Sequence, residues 1–149
     1  MTVASSPTGY SGTPLAKKLG LRDGQRVLWI GLPPNLNDLR TSAMFVEMAQ
    51  AGWETFDQGD AGYDVIHGFV TEKSVLADNV VKLRDEIDRD GAIWISWPKK
   101  ASKVPTDITE DVIREIALPT GLVDVKVCAV DTVWSGLKLV IRKELREEA

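Results

Sequence analysis

Apolar positions along this chain follow two rhythms that take turns. RVLWIGL at 26–32, YDVIHGFV at 63–70 and AIWISW at 92–97 are short, nearly unbroken apolar runs, the pattern of strands covered on both faces of a parallel sheet. Between them apolar residues return every three or four positions: Leu36, Leu39, Ala43 and Val46, then Leu76, Val80, Leu83 and Ile87, then Ile108, Val112, Ile113 and Ile116. Each set marks one face of a helix. The spacing predicts that the first helix stops at Gly52, the second before Gly91 and the third at Pro119 and Gly121, with Asp107 or Thr109 capping the third. Trp53 to Phe56 is predicted as a short second strand. Ahead of the first run, Thr13 caps a short helix with Pro14 in its first turn, and Arg22-Asp23-Gly24-Gln25 turns the chain into the first strand.

The closing stretch has a different rhythm. Val125 to Asp131 and Leu137 to Lys143 alternate apolar with polar residues across a connection at 132–136, which predicts an antiparallel pair at one side of the sheet. The expected fold is therefore α/β, a mixed and mostly parallel sheet with a C-terminal antiparallel hairpin and helices on both faces. Residues 1–12, rich in Ser, Thr, Gly and Pro, read as a flexible N-terminal tail, and 13–149 as a single α/β domain.

Composition narrows the function classes. With 149 residues, 44% hydrophobic and 27% charged, the chain can bury a core without disulfide or metal staples. A net charge of -4 and the lack of a basic stripe argue against nucleic acid as a partner. Cys128 is the single cysteine, so neither a disulfide framework nor a cysteine metal cluster is expected. Together with the lack of any apolar run of membrane-spanning length, this leads us to expect a cytoplasmic protein without membrane association.

Candidate chemistry gathers where strands leave the sheet, the end at which open α/β folds bind ligands. Ser96-Trp97-Pro98-Lys99-Lys100 follows the third buried run, and two ammonium groups beside an indole suit an anionic ligand, with Lys103 in reach. Exposed lysines also simply keep a loop solvated. Tyr10, Ser11 and Thr13 supply hydroxyls for a lid over the same end, or an ordinary turn and cap. Asp131 closes a strand and either anchors a ligand or serves the turn. His67, the only histidine, lies within a strand with no nucleophile or metal partner spaced beside it. Cys128 reads as a small buried hydrophobe, and the five tryptophans as core or edge packing.

The order of elements, and the entry LGLRDGQRVLWIG at 19–31, resembles a class I S-adenosylmethionine-dependent methyltransferase, shortened by one strand and helix unit of the Rossmann-like, doubly wound arrangement. The resemblance implies a methyl donor seated against Gly31, with Asp57 gripping its ribose. The turn after the first strand departs from that pattern. Gly31-Leu32-Pro33-Pro34-Asn35 keeps one glycine, but its two prolines fix their φ angles and remove two amide donors. A full-length resemblance, carried by YSGTPLAKKLG at 10–20, ISWPKK at 95–100, TEDVIRE at 109–115 and VWSGLKLVIR at 133–142, is to a bacterial family known as a domain of unknown function, and implies no activity. The favoured expectation is a non-catalytic or regulatory domain that binds a small anionic ligand or a protein partner and needs no cofactor. The alternatives are a divergent methyltransferase holding S-adenosylmethionine, and a structural homodimer paired through the terminal hairpin.

Overall fold

In the computed structural model, residues 14–56 and 62–146 are described; the predicted tail, with Tyr10, Ser11 and Thr13, and also Asp57, lie outside them. Six strands, β1 (Arg26–Ile30), β2 (Glu47–Ala51), β3 (Tyr63–Phe69), β4 (Ile87–Pro98), β5 (Leu122–Ala129) and β6 (Trp134–Ile141), form one sheet in the order β2-β1-β3-β4-β6-β5. β1 pairs in parallel with β2 and β3, and β3 with β4, whereas β6 runs antiparallel to both β4 and β5. The three apolar runs are β1, β3 and the inner part of β4, as their lack of alternation predicts.

The sheet separates two cores. On one side α2 (Lys73–Glu86) and α3 (Glu110–Ala117) bury Leu76, Val80, Leu83 and Ile113 against Leu28, Ile30, Ile66, Ile93 and Ile95. On the other, α1 (Leu15–Lys18) and a 3-10 helix at Pro34–Thr41 cover Val27, Trp29, Val65, Phe69 and Trp94. A last short helix, α4, spans Lys143–Arg146. Thr109 caps α3 by accepting from Val112 N–H at 3.2 Å. Asp107 instead caps α2, accepting Lys73 N–H at 2.7 Å across 34 residues of chain.

Several elements differ from their expected bounds, each for a local reason. The helix expected at 36–46 is a 3-10 helix that ends at Thr41, and β2 occupies 47–51, while Trp53 to Phe56 forms a turn rather than a strand. Two prolines open that 3-10 helix, and Ser42 and Thr41 return their hydroxyls to the carbonyls of Leu39 and Asp38, the competition with the backbone that makes such residues poor in helix interiors. The chain is then drawn beside β1 by Gly24 N–H to Met44 O, Met44 N–H to Asp23 Oδ1 and Val46 N–H to Gln25 O. EMAQA thus becomes a strand because its backbone groups find partners on β1.

α2 ends at Glu86, and Ile87 already belongs to β4. Tyr63 pairs Ile87 and Val65 pairs Ala92, so residues 88–91 bulge out of register. Gly91 permits this, since a Cβ there would stand 2.8 Å from Tyr63 O. β5 and β6 each begin and end earlier than the alternation predicts.

Candidate functional site

β1 leads to β2 on one side and β3 leads to β4 on the other, so the connection reverses between β1 and β3. Outside the carboxyl ends of strands at such a reversal an open α/β sheet leaves its crevice. A cleft of about 620 Å³ opens beside this point, between the turn after β2 (Gly52, Trp53), the end of β3 (Phe69, Val70) and the first turns of α2 (Val75, Asn79). Glu54, Glu72 and Asp78 also line it, and among the described residues no Lys or Arg does.

Trp53 fills the inner corner of this cleft. The turn that carries it is held by Phe56 N–H to Gly52 O at 3.1 Å and Gly52 N–H to Thr55 Oγ1 at 2.9 Å. Its indole N–H donates to Phe69 O at 2.7 Å, and its ring meets Phe56 edge to face at 6.0 Å. Gly68 makes room for the ring. A Cβ on Gly68 would lie 2.7 Å from the benzo edge of the indole, and one on Gly31 would lie 2.9 Å from Phe69 O and 3.4 Å from the indole nitrogen. Gly31 also has φ of +69°, a conformation glycine adopts without strain.

The residues singled out after β4 are brought to the same end of the sheet but not into this cleft. Ser96 is fully buried, its Oγ 2.7 Å from His67 Nε2. Trp97 is buried in the helix-side core. Lys99 is half-buried, Lys100 and Lys103 are exposed, and none of the three forms an ion pair among the described residues. Thr106 ties the loop to the end of β3 by donating to Thr71 O at 2.7 Å. Asp131 serves its turn: Oδ1 accepts Val133 and Trp134 N–H at 2.8 and 2.7 Å, and Oδ2 accepts from Asn35 at 3.1 Å.

His67 faces the core opposite the helices, stacked on Phe69 with ring centroids 4.2 Å apart and flanked by Trp29 and Trp94. Complete burial pulls its pKa down to about 3 and holds the imidazole neutral. Cys128 is half-buried against the same core, and burial pushes its thiol pKa up, away from reactivity. Sequence reasoning placed Trp53 in a strand and missed its role; the available signal was Gly68, a glycine inside an otherwise apolar strand, which marks close approach of another group.

A family model described as "Protein of unknown function (DUF3052)" matches residues 16–143. The chain belongs to the DUF3052 family. No curated protein matches this DUF3052 chain. Solved structures do. A SAM-dependent methyltransferase from Aquifex aeolicus superposes with TM-score 0.65 at 17% identity, covering 86% of this chain and 88% of the other. Magnesium protoporphyrin IX methyltransferase from Synechocystis with bound SAM gives 0.60 at 15% identity over 86% and 74%, and the CcbJ methyltransferase from Streptomyces caelestis 0.56 at 10% over 85% and 86%. At these identities the likeness is one of fold: the DUF3052 chain has the methyltransferase-like Rossmann architecture.

That architecture implies S-adenosylmethionine, and the corner against Gly31 is the place to test it. Among the described residues, the corner itself does not fit it. A Cβ on Gly31 would already meet Phe69 O at 2.9 Å and the Trp53 indole nitrogen at 3.4 Å, so the protein's own groups stand on that side of the glycine, and Pro33 and Pro34 offer no amide donors in the turn beyond. Among the described residues of the DUF3052 chain, no group of three or more His, Cys, Asp or Glu could hold a metal ion, and no helix is long and apolar enough to cross a membrane.

Proposed function

We propose that this chain is a non-catalytic, methyltransferase-like binding domain that recognises an anionic group, on a small ligand or a protein partner, through the loop after β4. One observation carries the non-catalytic part: the corner beside Gly31 is filled by the protein's own indole, hydrogen-bonded to Phe69 O at 2.7 Å. The choice of an anion rests on the contrast between neighbours. The cleft is lined by Glu54, Glu72 and Asp78, which repel anions, whereas Lys99, Lys100 and Lys103 stand free of carboxylate partners among the described residues. Pyrophosphate titrated by calorimetry tests it: binding to the wild-type chain that is lost in Lys99→Ala/Lys100→Ala supports the reading, and affinity unchanged in the double variant removes it.

A divergent methyltransferase is the second reading, favoured by the match to the Aquifex aeolicus enzyme at TM-score 0.65. A thermal-shift titration with S-adenosylmethionine and S-adenosylhomocysteine separates the two, because a ligand bound to the folded state alone raises its apparent stability. The homodimer reading meets a blunted edge: β5 carries a bulge between Asp124 and Lys126 together with the exposed charge of Lys126, both features that discourage strand pairing.

A further inference from the structure

We infer that β2 is a pairing edge for a second copy of this chain: the β2 strands of two copies run antiparallel about a twofold axis through Ala49, joining two six-stranded sheets into one.

The seat beyond β2 is one that the doubly wound arrangement ordinarily fills. Sheets of order 3-2-1-4 place a further strand outside the second. In this chain β2 is followed by β3 on the far side of β1, so among the described residues β2 is an edge with no strand beside it. Gly31 N–H donates to Ala51 O at 3.0 Å, so Ala51 turns its backbone groups to β1. Hydrogen bonding alternates along a strand. Glu47 and Ala49 therefore face β1 as well, and Met48 and Gln50 hold their N–H and C=O groups outward.

The two edges of the sheet are guarded differently. Native edges are blunted by bulges, lysines or prolines. β5 has a bulge and the exposed Lys126. β2 has neither: its register on β1 runs unbroken from Arg26 opposite Glu47 to Ile30 opposite Ala51, and it contains no Lys or Pro. Its one charge, Glu47, is held by Arg26 at 2.8 Å. Immediately before the strand stand Met44 and Val46, 80% and 70% exposed, the most exposed large apolar side chains among the described residues.

The order of residues along this edge is self-complementary, as a twofold contact requires, since the same patch must meet itself. With Ala49 on the axis, Met48 of each copy lies opposite Gln50 of the other, and each such pair exchanges both of its N–H···O bonds. Glu47 lies opposite Ala51, so no like charges are brought face to face. Val46 falls opposite Gly52, which has no side chain to obstruct it, and Met44 falls beside the turn that follows. The apolar residues exposed at the start of each strand are thus covered by the end of the other. A strand of unrelated sequence would supply the ladder but not this match.

A contact of one short ladder is small, so the dimer is expected in the micromolar range. Sedimentation velocity of the full-length chain between ~1 and ~200 μM should show the mean mass rising from one chain towards two. Gln50→Pro removes an outward N–H and leaves the ladder to β1 whole, a placement that edge strands tolerate. This variant should stay monomeric throughout and melt close to the wild type at the lowest concentration. Val46→Lys, a substitution at an exposed side chain, should weaken dimerisation by about tenfold and decides the matter if Gln50→Pro does not fold. Val127→Lys, at an exposed position of β5, should leave the dimer unchanged. A wild-type chain that is monomeric at every concentration overturns the proposal, whether another part of the chain or a different protein then covers β2. So does a dimer that persists in folded Gln50→Pro or is unweakened in Val46→Lys, or one that Val127→Lys abolishes.

Discussion

The two faces of the sheet are covered by different means. Against α2 and α3 the sheet presents mostly aliphatic side chains, among them Ile30, Ile66, Ile93 and Ile95, with Tyr63 and Trp97 the exceptions. Against α1 and the 3-10 helix it presents Trp29, His67, Phe69 and Trp94. The difference follows from what each face packs against. α2 is 14 residues long and α3 eight, so regular apolar stripes are available to meet branched aliphatics. α1 is four residues long and the other cover is a 3-10 helix, whose side chains give no such stripe. Where helical cover is thin, larger rings fill the space, and two of them set a polar edge on a partner. Trp94 finds one by donating to Leu19 O at 3.0 Å, and His67 finds Ser96.

Trp94 and Ile93 are neighbours on β4 that point to opposite cores, and both are fully buried. Trp94→Ala is expected to cost about 4 kcal/mol and Ile93→Ala about 3 kcal/mol, the indole losing more area and leaving Leu19 O without its donor. Urea denaturation of both variants checks the order; a larger loss for Ile93→Ala would contradict the view that rings carry the thinly covered face.

His67 sharpens it through pH. Its pKa is about 3 in the folded chain against the usual 6.5, so between those values the unfolded chain takes up a proton that the native chain refuses. Stability contributed by the neutral imidazole is complete above about pH 6.5 and falls as pH drops, by ~1.4 kcal/mol per unit, until it is lost near the folded value. Near pH 5 the loss from this group is about 2 kcal/mol. Denaturation of wild type and His67→Gln across that range should show the difference between them shrinking as acid is added. A constant difference would mean that the ring is not held neutral.

On the helix-covered side the cap supplied by Asp107 gives a smaller effect. Asp107→Ala should lower stability by about 1 kcal/mol, with hydrogen exchange accelerating first in the opening turn of α2 rather than in α3. Smallest of all is Lys99→Ala/Lys100→Ala, expected to shift stability by under ~0.5 kcal/mol, because Lys99 is only half-buried, Lys100 is exposed, and neither forms an ion pair among the described residues. A large shift there would mean that the lysines hold the loop in place rather than await a ligand.

Much of the architecture was legible in the residues. RVLWI, YDVIHGF and the inner part of β4 announce buried strands, and the closing pair announces itself by alternation. The candidate site was legible only in outline. Its location at the carboxyl ends of the strands follows from the fold, and Gly31 and the proline pair were recognisable as a departure from a cofactor-binding turn. Ser96, Trp97 and Asp131 looked like site residues because of their position along the chain, yet two are buried in the cores and the third is used by its own turn. Trp53 gave no local sign of its part, since Gly68, which admits its ring, lies 15 positions away.

What the residues determined on their own is whatever burial demands of a short segment: a run hidden on both faces must be apolar throughout, and a helix against a sheet must repeat its apolar positions. What only the assembled protein decided depends on partners distant in sequence. β2 is a strand because β1 offers it a ladder, α2 starts where Asp107 reaches it, and the corner beside Gly31 is closed because a tryptophan from the turn after β2 packs on Gly68 and donates to Phe69 O, both on β3. Hydrogen bonds and close packing act between whichever groups the fold brings within a few ångströms, and nothing in a local pattern states which groups those will be.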